Sequence, residues 1–293
     1  MSTIVAAPDG TLFAATDSAL LRSHLRAPER WEQIARTDDM VTLLFAPVGD
    51  AVYAITRRCG ALYRWSTTTG WQALQLPPIV QSTPEGEDRC VFFTDLWGSG
   101  PADIYAAGYY GTILHYDGQR WQEEPNPIQA AFASGALPSE AAGLWSIAGA
   151  GGAVYATSGV AVLSRDASGW VMLPLAQPGL PSRCAPARAA ASDNGVLFGD
   201  NQCLTAFESG RWRLLAEWLP GFRGSIYRAL TQRDGAQLFW SYVGSVAVVR
   251  DGQPSVYVLD GLAPMGGAIT IGPYLYAAGR LGTDGVVLRA RRF

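Results

Sequence analysis

No catalytic or metal-binding signature stands out among the residues of this chain. Its 293 residues include two histidines, His24 and His115, and both occupy equivalent places in short apolar stretches, which favours packing over a Ser-His-Asp or Cys-His site. All 22 basic residues are arginine, so Schiff-base and P-loop lysine chemistry are excluded. A glycosidase pair cannot be inferred from loop acids without their separation. The loop acids are Asp38, Asp39, Glu85, Glu87 and Asp88. We therefore predict no catalytic residue and no cofactor.

The overall composition describes a folded, mildly acidic chain. Apolar residues make up 48% and charged residues 16%, which is enough for a large core and too apolar for disorder. A net charge of -3 provides no basic field for nucleic acid or an anionic membrane. No apolar run is long enough for membrane insertion, and the first ten residues lack a charged segment followed by an apolar one. The sequence as given therefore predicts a soluble, cytoplasmic protein.

The stretch from Asp95 to Trp121 contains a repeat of four segments. Residues 104–107 and the residues after Ile113 alternate with the period of two that is typical of β-strands. Gly100-Pro101 and Asp117-Gly118 are turn dipeptides, so the chain reverses at both places. This pattern predicts a four-stranded antiparallel meander, the size of one propeller blade.

An aromatic residue in the second strand marks each repeat along the chain. The marks are separated by about 37 to 52 residues, near the repeat length of propeller blades. In five repeats a tryptophan then begins the fourth strand, where it is expected to pack between neighbouring sheets. The seven marks are Phe13, Tyr53, Tyr105, Tyr155, Phe198, Phe239 and Tyr276.

The repeats predict one all-β domain over residues 1–293, a single β-propeller with seven blades, or with six as the alternative. The blades are expected at about 2–35, 36–76, 91–125, 143–175, 187–219, 225–260 and 265–293. The first repeat holds all four of its own strands, and the last stops after its third strand. We therefore expect a three-stranded seventh blade and closure of the ring by packing of the first sheet on the seventh.

Successive reversals place alternate connections on one face of such a ring. Connections between blades share this face with the loops joining second to third strands. Three long connections fall on it, Leu76 to Arg89, Pro125 to Gly143 and Leu175 to Ala187, and we call it the loop face. Binding surfaces are commonly built from long loops on rigid scaffolds, so this face is the better candidate. The alternative is that the long connections are insertions that this face tolerates and that have no role in binding.

The four cysteines also fall on the loop face. Of the three possible connectivities, adjacency favours Cys59 with Cys90 and Cys184 with Cys203. Reduced thiols remain open as well, because cytosolic cysteines usually stay reduced. Paired cysteines would indicate an extracytoplasmic location. Zinc is disfavoured, because the sequence has no CxxC spacing and the two pairs fall in distant blades.

Arginine and tyrosine residues just after the second strands are the main candidates for binding. Guanidinium groups bind anions, and both residue types are common in protein hot spots. The predicted set is Arg57, Arg58, Tyr109, Tyr110, Asp200, Tyr242 and Arg280. First-strand residues that would line the channel form a second set, Trp97, Trp145, Arg188 and Arg228.

Residues Asp95 to Trp121 resemble the repeat of bacterial propellers of the photosystem II assembly factor-like group and the related BNR or Asp-box propellers. The resemblance rests on WGSGP, on GTILHYDG and on the final Trp. The turn Ser164 to Trp170, SRDASGW, is similar to an Asp-box with one residue fewer before the Trp. This likeness implies a binding or assembly role through protein contacts, with Asp166 as a structural turn residue.

We expect a non-catalytic protein-interaction or ligand-binding module that uses the loop face. One alternative is a lectin-like module that binds a glycan. Another is an Asp-box-type glycoside hydrolase or other small-molecule enzyme. Sialidases share such propellers, but the sequence lacks an FRIP motif and a convincing Tyr/Glu pair. The expected partner is a protein, a glycan or another small ligand, and not nucleic acid.

Overall fold

The computed structural model describes residues 3–291 with several gaps. Nothing is described for residues 17–18, 29, 37–38, 49, 59–60, 78, 80, 83–87, 90, 151, 175–179, 182–183, 185, 193–194, 201–202, 218, 232–234, 272–273 and 282–283. Five residues considered above, Cys59, Cys90, Asp38, Glu85 and Glu87, therefore lie outside the described residues.

Seven antiparallel sheets follow one another along the chain and form a ring, so the predicted seven-bladed β-propeller is confirmed. In blades one to three, each sheet is a four-stranded meander. Blade one contains β1 (Thr3–Ala6), β2 (Thr11–Ala15), β3 (Ala19–His24) and β4 (Glu32–Arg36). Blade two contains β5 (Val41–Val48), β6 (Ala51–Thr56), β7 (Leu62–Ser66) and β8 (Gly70–Ala73). A small hairpin, β9 (Gln81–Ser82) and β10 (Asp88–Arg89), precedes blade three, which contains β11 (Phe93–Gly100), β12 (Asp103–Gly108), β13 (Ile113–Tyr116) and β14 (Trp121–Glu123).

Blades four to six repeat the same four-stranded order, and blade seven has three described strands. A short helix, α1 (Pro127–Ala133), lies before blade four, which contains β15 (Leu144–Ala150), β16 (Ala153–Ser158), β17 (Val162–Asp166) and β18 (Gly169–Leu173). Blade five contains β19 (Arg188–Ser192), β20 (Gly195–Gly199), β21 (Leu204–Glu208) and β22 (Arg211–Ala216). Blade six contains β23 (Ile226–Thr231), β24 (Gln237–Ser241), β25 (Ser245–Arg250) and β26 (Gln253–Val258). Blade seven contains β27 (Leu262–Ile271), β28 (Tyr274–Leu281) and β29 (Asp284–Arg291).

The second strands form the most buried layer of each blade. All six residues of β6 and all five of β2 and β24 are buried, because each sheet packs against a neighbour on both faces. The seven aromatic marks are at most 8% exposed. They therefore fill the spaces between sheets, as the repeat predicts.

The core of the described residues divides into seven apolar clusters, one between each pair of neighbouring blades. The fourth-strand tryptophans belong to five of them. Between blades three and four, Trp170 is buried and donates from Nε1 to Glu124 Oε2 at 2.7 Å. Glu124 also accepts two hydrogen bonds from Arg165, at 2.7 and 2.9 Å. A charged pair thus joins the outer parts of these two blades.

The ring closes where the first strand of blade seven meets that of blade one. Strand β27 contacts both β1 and β24. Gly267 allows the close approach, because a Cβ atom there would come within 2.8 Å of the Ile4 nitrogen. Blade one keeps its own β4, so the described strands close the ring by packing between sheets.

The connection that contains α1 packs on the loop face. Asn126 caps the helix by accepting from the backbone nitrogens of Ile128 and Gln129, and it donates to Gly111 O at 2.6 Å. Gly111 has φ of 73°, and a Cβ atom there would lie 2.4 Å from the Gln129 nitrogen. A glycine is therefore needed where the helix rests on the blade-three loop.

Candidate functional site

A repeated backbone irregularity shapes the centre of the loop face. The ladder between first and second strands shifts register near the start of the first strand in blades two, three, four, six and seven. Each shift leaves one residue outside the pairing, which is the geometry of a β-bulge and redirects its side chain. The bulged residues of blades two, three, four and six are Thr42, Thr94, Trp145 and Tyr227.

These four bulged residues line one cavity of about 460 Å³ at the mouth of the central channel, which we call the mouth cavity. Its remaining lining residues are Thr56, Arg57, Phe92, Phe93, Tyr109, Arg188 and Arg228. A narrower cavity of about 210 Å³ continues below it, between the first strands. Arg228 lines both cavities.

Aromatic rings and arginines surround the mouth as a connected row. The Phe92 ring meets that of Tyr109 edge-on at 6.3 Å, and Tyr109 meets Trp145 at 5.5 Å. The Arg188 guanidinium lies 5.7 Å from the Trp145 ring. In blade six, next to the blade of Arg188, the Tyr227 ring contacts that of Tyr242 at 5.2 Å. Residues of blades three to six therefore form one continuous wall.

Arg228 crosses the channel from blade six to blade three. Its Nη1 donates to Thr94 O at 2.6 Å and lies 3.7 Å from Asp95 Oδ1. The side chains of Arg228 and Asp95 are only 12% and 11% exposed. Arg228 Nε is also buried and has no hydrogen-bond partner among the described residues. The contact ties opposite blades together, and one donor remains unused.

Arg188 lies beside Arg228. Its positive charge is less completely balanced by a nearby negative charge than that of Arg228. Its Nε donates to Tyr227 O, and its Nη1 donates to Ala187 O at 3.1 Å. Burial, followed by the nearby charge of Arg228, lowers the pKa of Arg188 to about 10. Both of these hydrogen-bond acceptors are backbone carbonyl groups, which carry no full negative charge.

Asp95 is the one carboxylate among the described residues that line the two cavities. Its Oδ2 accepts from Ser146 Oγ and from the Ile147 backbone nitrogen, both at 2.9 Å. Burial raises the pKa of Asp95, and Arg228 and these hydrogen bonds oppose that effect. Asp95 therefore joins blade three to blade four and is the counter-ion nearest to the two arginines.

The predicted binding residues fall into two groups. Arg57 and Tyr109 line the mouth cavity, and Tyr242 joins its wall through Tyr227. Arg58 lies next to Arg57 at a separate hollow of about 570 Å³ in blade two, which Trp71 also lines. These residues share the loop face.

The remaining predicted residues serve local structure around the blades. Tyr110 adopts φ of 61° and stacks on Phe132 of α1 at 4.9 Å, so its ring packs under the helix. Asp200 Oδ1 accepts from the Cys203 nitrogen at 2.6 Å and shapes the turn of blade five. Arg280 pairs with Gly285 within the blade-seven sheet.

The described residues include one disulfide, on the loop face. It joins Cys184, before blade five, to Cys203, after the second strand of that blade, with Cα atoms 5.4 Å apart. The connection into blade five is therefore fixed to its own blade just before Arg188. The proposed Cys59–Cys90 pairing lies outside the described residues.

Several residues of the mouth cavity were not among the sequence candidates. Thr42, Thr94 and Tyr227 were missed because a bulge has no clear sequence signal, and Phe92 was missed because it ends a connection and follows no second strand. One available signal was position: each lies at or just before the start of a first strand, next to the centre of a propeller. Trp145, Arg188 and Arg228 were predicted as channel-lining residues and lie at the mouth, whereas Trp97 lines the narrower cavity.

Membrane-spanning helices and metal-ligand clusters can be assessed only in the described part of the chain. No helix in it is long and apolar enough to cross a membrane. No group of three or more His, Cys, Asp or Glu side chains in it is arranged to hold a metal ion.

Comparison with solved structures shows that the chain shares its fold with other β-propellers. A streptogramin B lyase matches with a TM-score of 0.72 and 12% identity over 99% of this chain and 93% of that one. The WD40 repeats of RRP9 match with a TM-score of 0.65 and 10% identity over 99% and 94%. The extracellular domain of BT4673 from B. thetaiotaomicron matches at 0.65 and 12%, over 99% of this chain and 38% of that one. At these identities the likeness concerns the fold.

Sequence comparison gives one local match to a curated protein. Immune protein Tsi7 of Pseudomonas aeruginosa is 35% identical over 66 residues, which are 22% of this chain. The match spans about a fifth of that protein, 21% of its length. No protein-family model matches the chain.

Proposed function

We propose that this propeller is a protein-binding module whose loop face docks a partner over the mouth cavity. The observation that carries the proposal is the distribution of exposed apolar side chains. Five of the seven large exposed apolar residues in the described chain lie on the loop face. They are Phe92, Val160, Tyr242, Val243 and Leu281, each 42–49% exposed.

The arrangement of these residues resembles the anatomy of a protein interface. Aromatic residues and arginine are enriched in interface centres, where they are surrounded by weaker contacts. Here the mouth cavity supplies the concave aromatic and arginine-lined centre, and the exposed residues belong to loops of blades three, four, six and seven around it. The resemblance of Asp95 to Trp121 to assembly-factor propellers supports the same kind of role.

An immunity role is the specific form of this proposal. The local similarity to a P. aeruginosa immune protein supports it. In this form, the partner is a harmful protein, and docking over the rigid loop face neutralises it without catalysis. Binding alone is sufficient for such a role.

Charge substitutions on the loop face test the docking. Phe92→Asp and Tyr242→Asp place a carboxylate within the proposed interface. Met172→Asp is the matched control, because Met172 is 49% exposed but lies on the outer strand of blade four. We expect wild type and the control to recover the same partner from host lysate, and the loop-face variants to lose at least about 90% of it. Equal recovery by all variants that retain the wild-type melting temperature would contradict docking on this face.

Co-expression tests the immunity role. The recovered partner is expressed in a sensitive host, alone or with the propeller, and viable cells are counted. We expect the partner alone to reduce viability, wild type and Met172→Asp to restore it, and Tyr242→Asp to fail. A harmless partner would exclude immunity while leaving the docking surface intact.

The disulfide supports a location in an oxidising, extracytoplasmic compartment. Thiols are alkylated at cell lysis, and the denatured, unreduced protein is then weighed by mass spectrometry. We expect no alkylated cysteine. Four alkylated cysteines would contradict both the proposed Cys59–Cys90 pair and this location.

A further inference from the structure

We infer that the mouth cavity binds a carboxylate group presented by the partner protein, held between Arg188 and Arg228. This inference rests on the proposed docking surface and names the chemical group that the surface recognises. A carboxylate is available in proteins from an acidic side chain or from the C-terminus, and both present the same pair of oxygens.

Positive charge exceeds negative charge at the mouth cavity. Among the described residues, two guanidinium groups, from Arg188 and Arg228, are near a single carboxylate, Asp95. Arg57 adds a third guanidinium at the rim of the cavity, whose described lining contains no acid. Burying a charge is unfavourable unless it is paired. The two central arginines therefore have room for one further negative charge.

Arg228 also carries an unused donor. Its Nε is buried without a hydrogen-bond partner among the described residues, although its Nη1 is held by Thr94 O, and an acceptor reaches this enclosed nitrogen only when the side chain shifts. A buried donor without an acceptor is costly and uncommon in folded proteins. The depressed pKa of Arg188 agrees with this picture, because an approaching anion would raise it again.

Shape favours a carboxylate at this place. One additional negative charge balances the two central guanidiniums and Asp95. Guanidinium groups match the planar geometry of a carboxylate in two-point contact. The aromatic wall of Phe92, Tyr109 and Trp145 offers apolar contact to the carbon chain that carries the acid. The cavity of about 460 Å³ has space for such a side chain.

Matched peptides test the inference and separate the two sources of carboxylate. The first pair is acetyl-Phe-Glu-Phe-amide and acetyl-Phe-Gln-Phe-amide, and the second is acetyl-Phe-Phe as the free acid and as its amide. Binding to the full chain is followed by calorimetry at low salt. We expect the acid of at least one pair to bind at least about 10-fold more tightly than its neutral partner, a difference of about 1.4 kcal/mol. The Glu peptide would identify a side chain, and the free acid would identify a C-terminus.

Arginine variants locate the binding. Arg188→Gln and Arg228→Gln should each weaken binding of the preferred acid at least about 10-fold. Arg213→Gln is the control, because Arg213 is an exposed arginine on the outer strand of blade five, and binding should remain within about twofold. If Arg228→Gln does not fold, Arg188→Gln decides. Equal affinity for acid and amide in both pairs, or unchanged affinity in Arg188→Gln, would overturn the inference.

Failure of this inference can be distinguished from failure of the proposed function. If the partner is lost by Tyr242→Asp but kept by Arg188→Gln, docking stands and carboxylate recognition does not. If the partner is kept by Tyr242→Asp, the docking surface itself is wrong.

Discussion

The positive charge of Arg188 destabilises the folded state. Its pKa falls from the usual 12.5 to about 10, so folding disfavours the charged form. The cost is fully present below pH 10, and it disappears as the pH rises from 10 towards 12.5. Such a residue is expected where binding, and not stability, requires the charge.

The first prediction is that Arg188→Gln does not destabilise the protein at neutral pH. Removing the charge removes its burial cost, and the amide can still donate to nearby carbonyls. We expect a melting temperature equal to or above that of wild type in a thermal denaturation at pH 7. A fall of more than about 2 °C, roughly 1 kcal/mol for a chain of this size, would show that Arg188 stabilises the fold.

The second prediction concerns Asp95, which has the opposite role. Asp95→Ala leaves the Ile147 nitrogen, the Ser146 hydroxyl and Arg228 without their shared acceptor. We expect the free energy of unfolding in urea to fall by about 3 kcal/mol. The control is Asp260→Ala, which removes an exposed partner of Arg223 and should cost less than about 1 kcal/mol. Similar losses in both variants would contradict the structural role of Asp95.

Some residues of the mouth cavity are predictable from the sequence and others are not, for a physical reason. Arg57 and Tyr109 were found because they follow second strands, whose position is visible from the repeat. Arg188 was found as a first-strand residue facing the channel. Phe92 and Tyr227 were missed because they lie at the start of first strands. Whether a side chain there faces the mouth depends on the bulge and on contacts around the whole ring.

At the scale of elements, the helix α1 depends on a glycine beneath it. Both Gly111 and Gly70 have positive φ, 73° and 66°, but a Cβ atom at Gly111 would meet the Gln129 nitrogen at 2.4 Å, whereas nothing lies within 4 Å at Gly70. The two positions therefore separate backbone strain from steric overlap.

The third prediction uses this pair. Gly70→Ala should cost about 1 kcal/mol of unfolding free energy, from strain alone. Gly111→Ala should cost about 2 kcal/mol more, because the helix backbone must shift. Urea denaturation of both variants measures the difference. Equal costs would mean that α1 does not rest on this loop.

The regular elements were predictable, and the additions within the connections were not. The period-two pattern and turn dipeptides of Asp95–Trp121 indicate a meander without reference to the rest of the chain. The seventh blade was expected with three strands, and three are described. In contrast, α1 has only seven residues and depends on Asn126 and Gly111, so no periodic pattern indicates it. The strands of the β9–β10 hairpin have only two residues each, which is too short for a period of two to be visible.

At the scale of the whole molecule, the disulfide links one of the long connections to the ring. Cys184 and Cys203 are 19 residues apart in sequence, and their bridge holds the chain just before Arg188. A cross-link restricts the unfolded chain more than the folded one.

The fourth prediction is that the variant with serine at both positions loses about 3 kcal/mol of unfolding free energy, the value expected for a loop of this length. Chemical denaturation with and without a reducing agent measures it. The reducing agent should destabilise wild type more than the variant. If it affects both equally, this bridge does not contribute to stability.

The ring brings together residues that are distant in sequence. Arg228 contacts Thr94, 134 positions away, across the channel. The reversal of direction in successive strands is enough to predict which connections share a face, because it requires only the number of strands in each blade. The contact itself could not be predicted, because it depends on the register of two blades on opposite sides of the ring.

Site-specific photo-crosslinking in host cells tests docking on the loop face most directly. A photoreactive phenylalanine analogue replaces Tyr242 on the loop face or Met172 on the outer strand of blade four, two exposed positions. We predict a discrete cross-linked partner from position 242 and none from position 172. The same partner cross-linked from position 172, with none from position 242, would contradict the account.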